Sequence, residues 1–145
     1  FAISIALKIE DEIRSGVIYD PIKNEIFYAE KNIGSFFNNQ RIRVSKKSDL
    51  DECLFATNHL GAKFSELNLR YTGCAALDLA YVACGRLDGF FHNKINLWDI
   101  AAGILIVEEA GGTINDYTKY DDNSIDIRVA SSSIYNKMMK KLDNF

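Results

Sequence analysis

The chain has 145 residues, of which 48% are hydrophobic and 26% charged, with a single proline and a formal net charge of −3. This composition excludes a disordered polymer and supports one buried core. The mild negative charge gives no general attraction to nucleic acid or to an acidic membrane, and no apolar run approaches the roughly 18 residues of a membrane span.

The first 45 residues read as strands. "FAISIALKIE" (1–10) is rich in Ile and Ala and suits a buried strand. It lacks the basic leader of a signal peptide. Phe1 stands inside the apolar run, so the reading is of a strand entered part-way, with partners beyond these residues. "SGVIYD" and "NEIFYAE" flank the turn "DPIKN" and predict a hairpin. "GSFFNNQRIRVS" predicts another, turning at Asn38-Asn39. Arg41, Arg43, Lys46 and Lys47 form a basic stretch, read as a solvated strand end and turn.

From residue 50 strands alternate with helices. "CLFAT", "NLRYT", "LDGFFH", "GTIND" and "IDIRVAS" are short strands. "GCAALDLAYVACG" spaces Ala75, Leu79 and Ala83 as one helical face and stops at Gly85. "DIAAGILIVEEAGG" predicts a helix from Asp99 to Gly111-Gly112. "SIYNKMMKKLDNF" closes the chain as a helix with lysines near its C-terminal end. The fold class is α/β: an α+β layered sandwich with antiparallel hairpins followed by a mixed sheet and packed helices. The expected division is 1–48, an antiparallel sheet region, and 49–145, an α/β region. Cys53, Cys74 and Cys84 are odd in number, without a CxxC pair, and read as reduced core residues of a cytoplasmic protein.

Sheets of this kind bind ligands beyond the carboxyl ends of strands, where helices begin. Gly73 and Asp99 occupy such places. Asp99 suits a helix N-cap, the commoner role of a lone Asp before a helix, and its small neighbours also allow a ligand of a hard cation such as Mg²⁺. Ala101, Ala102 and Gly103 keep the following turn slim, so that another backbone or a ligand can approach. "TGCAAL" (72–77) exposes backbone N–H groups at a helix start, or packs a helix closely through small side chains. His92 is expected to end its strand, and His59 lies in a loop. Asp78 is read on the exposed face of its helix, Asp88 in the turn before Gly89, and Glu108 and Glu109 as solvated. No P-loop, GxGxxG or Ser-His-Asp pattern is present.

"WDIAAGILIVEEAGGTI" resembles the C-terminal signature of the inositol monophosphatase family, W-D-x-A-A-G-x-x-x-x-x-E-A-G-G. "RYTGCAALDLAYVACGRLDGFF" is similar to the segment before that signature in bacterial members, and "AEKNIGSFFNNQRIRVS" to a family hairpin. The likeness is nearest to the bacterial extragenic-suppressor type. It implies Mg²⁺-dependent, Li⁺-inhibited hydrolysis of a small phosphorylated polyol of the inositol 1-phosphate kind. Asp99 falls on the family's metal ligand, which also contacts substrate. Ala75 falls on the position whose backbone N–H meets substrate hydroxyls, with Gly73 and Cys74 beside it. His92 stands where members commonly place a Glu that binds a substrate hydroxyl. The family's D-P-I-D-G-T motif, which carries most metal ligands, has no counterpart here, since "DPIKN" lies in a hairpin and lacks the second Asp, the Gly and the Thr. The loop over 57–69 is also shorter than usual. This chain alone is therefore expected to be inactive, with no confident catalytic residue of its own. Two alternatives stay open. One is a non-catalytic remnant that contacts the transcription machinery through the basic stretch. The other is a phosphatase of a nucleotide or sugar bisphosphate. Unpaired strand edges predict self-association, with a homodimer as the expected state.

Overall fold

The computed structural model describes residues 1–59, 64, 66–117 and 119–142. Five strands make a first sheet in chain order: β1 (Ile3–Ile9), β2 (Glu12–Asp20), β3 (Glu25–Glu30), β4 (Gly34–Phe37) and β5 (Gln40–Arg41). Every pairing is antiparallel, so tight turns suffice to connect them. Asn38 and Asn39 form the last turn with φ of 43° and 68°, the left-handed region that Asn tolerates best after Gly. The Asp20 carboxylate holds the β2–β3 turn by accepting from the Ile22 and Lys23 amides at 2.9 and 3.2 Å.

The second sheet is mixed, in the order β7 (Asn68–Arg70), β6 (Leu54–Thr57), β8 (Gly89–Asn96), β10 (Ser124–Ser131), β9 (Gly112–Ile114). Strand β6 runs parallel to β7 and β8, and β10 antiparallel to β8 and β9. Helices α1 (Ala75–Ala83) and α2 (Leu97–Glu109) cover one face of this sheet, sharing a core with Ala56, Phe90, Ile127 and Val129. Helix α3 (Tyr135–Lys141) covers the other, with Met138 against Phe55 and Phe91. Helix α2 also packs on the inner face of the first sheet, where Ile18, Phe27 and Ala29 are buried. The order of layers is sheet, helices, sheet, helix.

Four expectations change here. "FAISIAL" forms an edge strand, not a buried one: Ile3, Ile5, Leu7 and Ile9 alternate onto an open face, with Ile5 63% exposed. Asp99 is not the N-cap of α2. The helix starts two residues earlier, with extended Asn96 in the N-cap position but no side-chain capping bond, and Leu97 packs on the core. Strand β8 does not end at His92. A bulge at Asn93-Lys94, with Lys94 at φ 53°, lets the strand continue and return Ile95 to the core. Asp78 is fully buried, because α1 is enclosed between the second sheet and α2 and has few open positions.

The slim turn of α2 serves neighbouring elements. A Cβ on Gly103 would stand 2.5 Å from Leu79 Cδ1, and one on Gly16 would stand 2.9 Å from Ala102 Cα. The small residues thus allow α1 and β2 to approach α2. The basic stretch is exposed at Arg41, Arg43, Lys46 and Lys47, as expected, and Lys47 also holds a buried group. Lys47 pairs with buried Asp88 at 3.2 Å, and Asp88 further accepts the Leu54 amide at 2.8 Å. The Arg41 guanidinium lies where a Cβ on Gly34 would meet it at 3.0 Å. The expected short loop over 57–69 falls partly on residues 60–63 and 65, outside the described residues.

Candidate functional site

Strand β6 and the loop before α1 bring one wall of the site, and β8 leading into α2 brings the other. Between them lies a cavity of about 650 Å³. All five residues singled out from the sequence, Gly73, Cys74, Ala75, His92 and Asp99, line it. So do Ser4, Asn58, Lys94 and Trp98, which sequence reasoning missed. Asn58 follows directly on β6, at the carboxyl end of a parallel strand, so the rule for such sheets could have found it. The same rule covers Lys94 at the carboxyl end of β8, and Trp98 stands in the signature directly before Asp99. The two histidines are not a pair: among the described residues only His92 reaches this cavity.

The cavity wall includes the first turns of α1 and α2, whose unpaired amides and dipoles favour an anion. Gly73 has φ 78°, a conformation other residues adopt under strain, and nothing lies within 4 Å of where a Cβ would stand. Glycine is therefore required there by the backbone and not by crowding. The Cys74 amide donates to the Thr72 hydroxyl at 3.3 Å. Asp78 N–H closes the helix on the Cys74 carbonyl at 3.0 Å. The amides of Ala75 and Ala76 belong to the first turn and have no intrahelical acceptor.

On the opposite wall Asp99 is exposed in the first turn of α2, with no hydrogen-bond or ion-pair partner among the described residues. His92 donates Nδ1–H to the Asn93 carbonyl at 2.6 Å, which leaves Nε2 as the ring acceptor. Behind it, mostly buried Arg128 donates to the His92 carbonyl at 3.0 Å and to Asn93 Oδ1 at 2.5 Å. Those bonds brace the bulge of β8. The neighbouring Lys94 amide is held by Asp126 at 2.9 Å. Burial lowers the Arg128 pKa from its ordinary value. The three cysteines are free thiols, but only Cys53 is a core residue, since Cys74 and Cys84 are half-buried at the two ends of α1; burial pushes Cys53 up to about 11, which keeps it unreactive.

A family model described as the inositol monophosphatase family matches residues 1–144. The chain belongs to that family. It is 44% identical over 133 residues to the protein named Nus factor SuhB from Escherichia coli K12, covering 81% of this chain and 50% of that protein. It is 43% identical over 133 residues to a Thermotoga maritima protein named fructose-1,6-bisphosphatase/inositol-1-monophosphatase, covering 86% of this chain and 52% of the other. Among solved structures, the extragenic suppressor protein suhB from Bartonella henselae superposes with a TM-score of 0.87 at 40% identity, over 98% of this chain and 64% of that one. The chain thus spans about half the length of the named relatives it matches. Its layered α/β architecture is that of the inositol monophosphatase and suhB folds.

No group of three or more His, Cys, Asp or Glu side chains suited to a metal occurs among the described residues. Asp99 offers one hard oxygen donor at the cavity. A Mg²⁺ ion takes one or two carboxylates together with phosphate oxygens and water. The residues present therefore fit one ligand of such an ion and do not make a complete metal centre.

Proposed function

We propose that this chain carries the polyol-binding part of a Mg²⁺-dependent phosphate monoesterase of the inositol 1-phosphate type. The observation that supports this is the meeting of Gly73, Cys74, Ala75, His92 and Asp99, from three separate stretches, around one cavity at two helix starts. In this reading the amides of Ala75 and Ala76 donate to substrate hydroxyls. His92 Nε2 accepts one more, a single acceptor where a carboxylate would offer several. Asp99 holds a substrate hydroxyl and gives one oxygen to the metal. Bound Mg²⁺ would supply charge neutralisation at the phosphate and an activated water. The chain's own contribution is to bind and orient, and with one carboxylate at the cavity it turns over little substrate by itself.

Asp99→Asn tests this reading. Calorimetry with Mg²⁺ and inositol 1-phosphate should show binding to the parent and marked weakening in the variant, with an almost unchanged melting temperature. Equal binding by both would remove Asp99 from the site. Phosphate release by the parent at several millimolar Mg²⁺, abolished by Li⁺, would show that the chain is complete as a catalyst and overturn the division of labour.

The Thermotoga relative's name favours a second substrate, a sugar bisphosphate, and Lys94 at the cavity is a cation that such a substrate would meet. Tighter binding of fructose 1,6-bisphosphate than of inositol 1-phosphate, lost in Lys94→Gly, would select it. The name Nus factor raises a contact with the transcription machinery as a separate role. The exposed basic stretch of Arg41, Arg43, Lys46 and Lys47 is the first surface to test for it, although Lys47 also pairs with Asp88.

A further inference from the structure

We propose that Asp78, acting through Thr72, is a positioning residue that holds the Gly73–Ala76 backbone in its ligand-ready shape; this rests on the reading of the cavity given above. Asp78 lies in the first turn of α1 and is fully buried. One carboxylate oxygen accepts the Thr72 hydroxyl at 2.6 Å. The other is buried without a hydrogen-bond partner among the described residues. A carboxylate half left unpaired in a core is costly, and burial raises its pKa from 3.8 to about 6. An apolar residue of similar size would pack there at lower cost. What the carboxylate obtains in return is its bond to Thr72.

That bond acts on the cavity wall. The Thr72 hydroxyl, with its proton committed to Asp78, presents its lone pair to the Cys74 amide at 3.3 Å. This fixes the backbone on both sides of Gly73, where packing does not: a Cβ there would meet nothing within 4 Å. The left-handed residue at the cavity is thus restrained by a two-step hydrogen-bond chain from the core. With the Cys74 amide occupied, the next amides, of Ala75 and Ala76, remain without an intrahelical acceptor in residues that line the cavity. A wall ordered before binding spares the ligand the cost of ordering it.

The experiment compares Thr72→Val, which keeps the shape and loses the hydroxyl, with Thr72→Ser and Asp78→Asn, which keep donor and acceptor. Three quantities are read in each: melting temperature, amide hydrogen exchange at Cys74–Ala76, and the dissociation constant for inositol 1-phosphate with Mg²⁺. Thr72→Val should speed exchange and weaken binding, each by about tenfold, beyond what its melting temperature explains. Thr72→Ser and Asp78→Asn should stay within about twofold of the parent in both. Parent-like exchange in Thr72→Val overturns the proposal. So does a loss in Thr72→Val confined to melting temperature, or a failure of Thr72→Ser to rescue. If the parent itself binds no inositol 1-phosphate, the functional reading fails, and the exchange data still decide whether Asp78 and Thr72 order the loop.

Discussion

The two sheets each have five strands, yet their surroundings differ. The second sheet is clothed on both sides: Phe90 faces α1 and α2, while Phe55 and Phe91 face α3. Its strands are accordingly apolar on both faces, as sheets between two helical layers are. The first sheet is covered by α2 on its inner face only. Its outer face nevertheless reads like an interior one: Ile3, Ile5 and Leu7 on β1, Val17 and Tyr19 on β2, Ile26 and Tyr28 on β3, and Phe36 on β4. The Tyr28 and Phe36 rings stack at 5.1 Å on this face. The difference shows that apolar alternation measures what a strand is suited to meet, and the layer actually present decides what it meets.

This contrast can be broken at its strongest point first. Phe90→Ala empties a fully buried site between the second sheet and its helices and should cost about 3–5 kcal/mol. Urea unfolding measures it, and a loss below about 1 kcal/mol would mean that the second sheet is not the tighter one.

A smaller effect comes from the helix layer itself. Asp78 titrates at about 6 in the fold against an ordinary 3.8, because burial penalises its charge. Between these values the folded chain keeps a proton that the unfolded chain has released. This contribution to stability is therefore present below pH 3.8 and is lost as the pH rises through about 6, a fall of about 3 kcal/mol. Asp78→Asn should remove that fall, so that parent and variant diverge steadily in urea midpoint from pH 4 to pH 7. Parallel pH profiles would contradict it.

The least effect on folding is expected on the open face. Ile5→Lys replaces a residue that is 63% exposed and should change stability by no more than about 0.5 kcal/mol. Its effect should appear in association instead, since exposed apolar faces and unpaired edges join copies together. We expect sedimentation to show the parent self-associating and Ile5→Lys shifted toward monomer. A monodisperse parent would show that the open face is tolerated in solution.

Much of this architecture was legible from local chemistry. The turns at Pro21–Asn24 and Asn38-Asn39, the change from strands to alternating elements, and helices α1, α2 and α3 follow from periodicity, turn residues and end signals, which act over a few positions. The signature around Asp99 disclosed the family, because a long spaced pattern of Trp, Asp, Ala, Gly and Glu rarely arises by chance. Other features were decided only when the chain closed on itself. Periodicity put Asp78 on an open helix face, and the tertiary fold enclosed that face between α2 and the second sheet. The small residues after Asp99 left room for a ligand or a backbone, and the approach of β2 and α1 took it. His92, Lys94 and Trp98 became neighbours of Gly73 through the bulge in β8 and the early start of α2, neither of which local pattern predicted. Local propensity sets which elements form; burial and register, which depend on residues far apart in sequence, determine what each side chain finally faces.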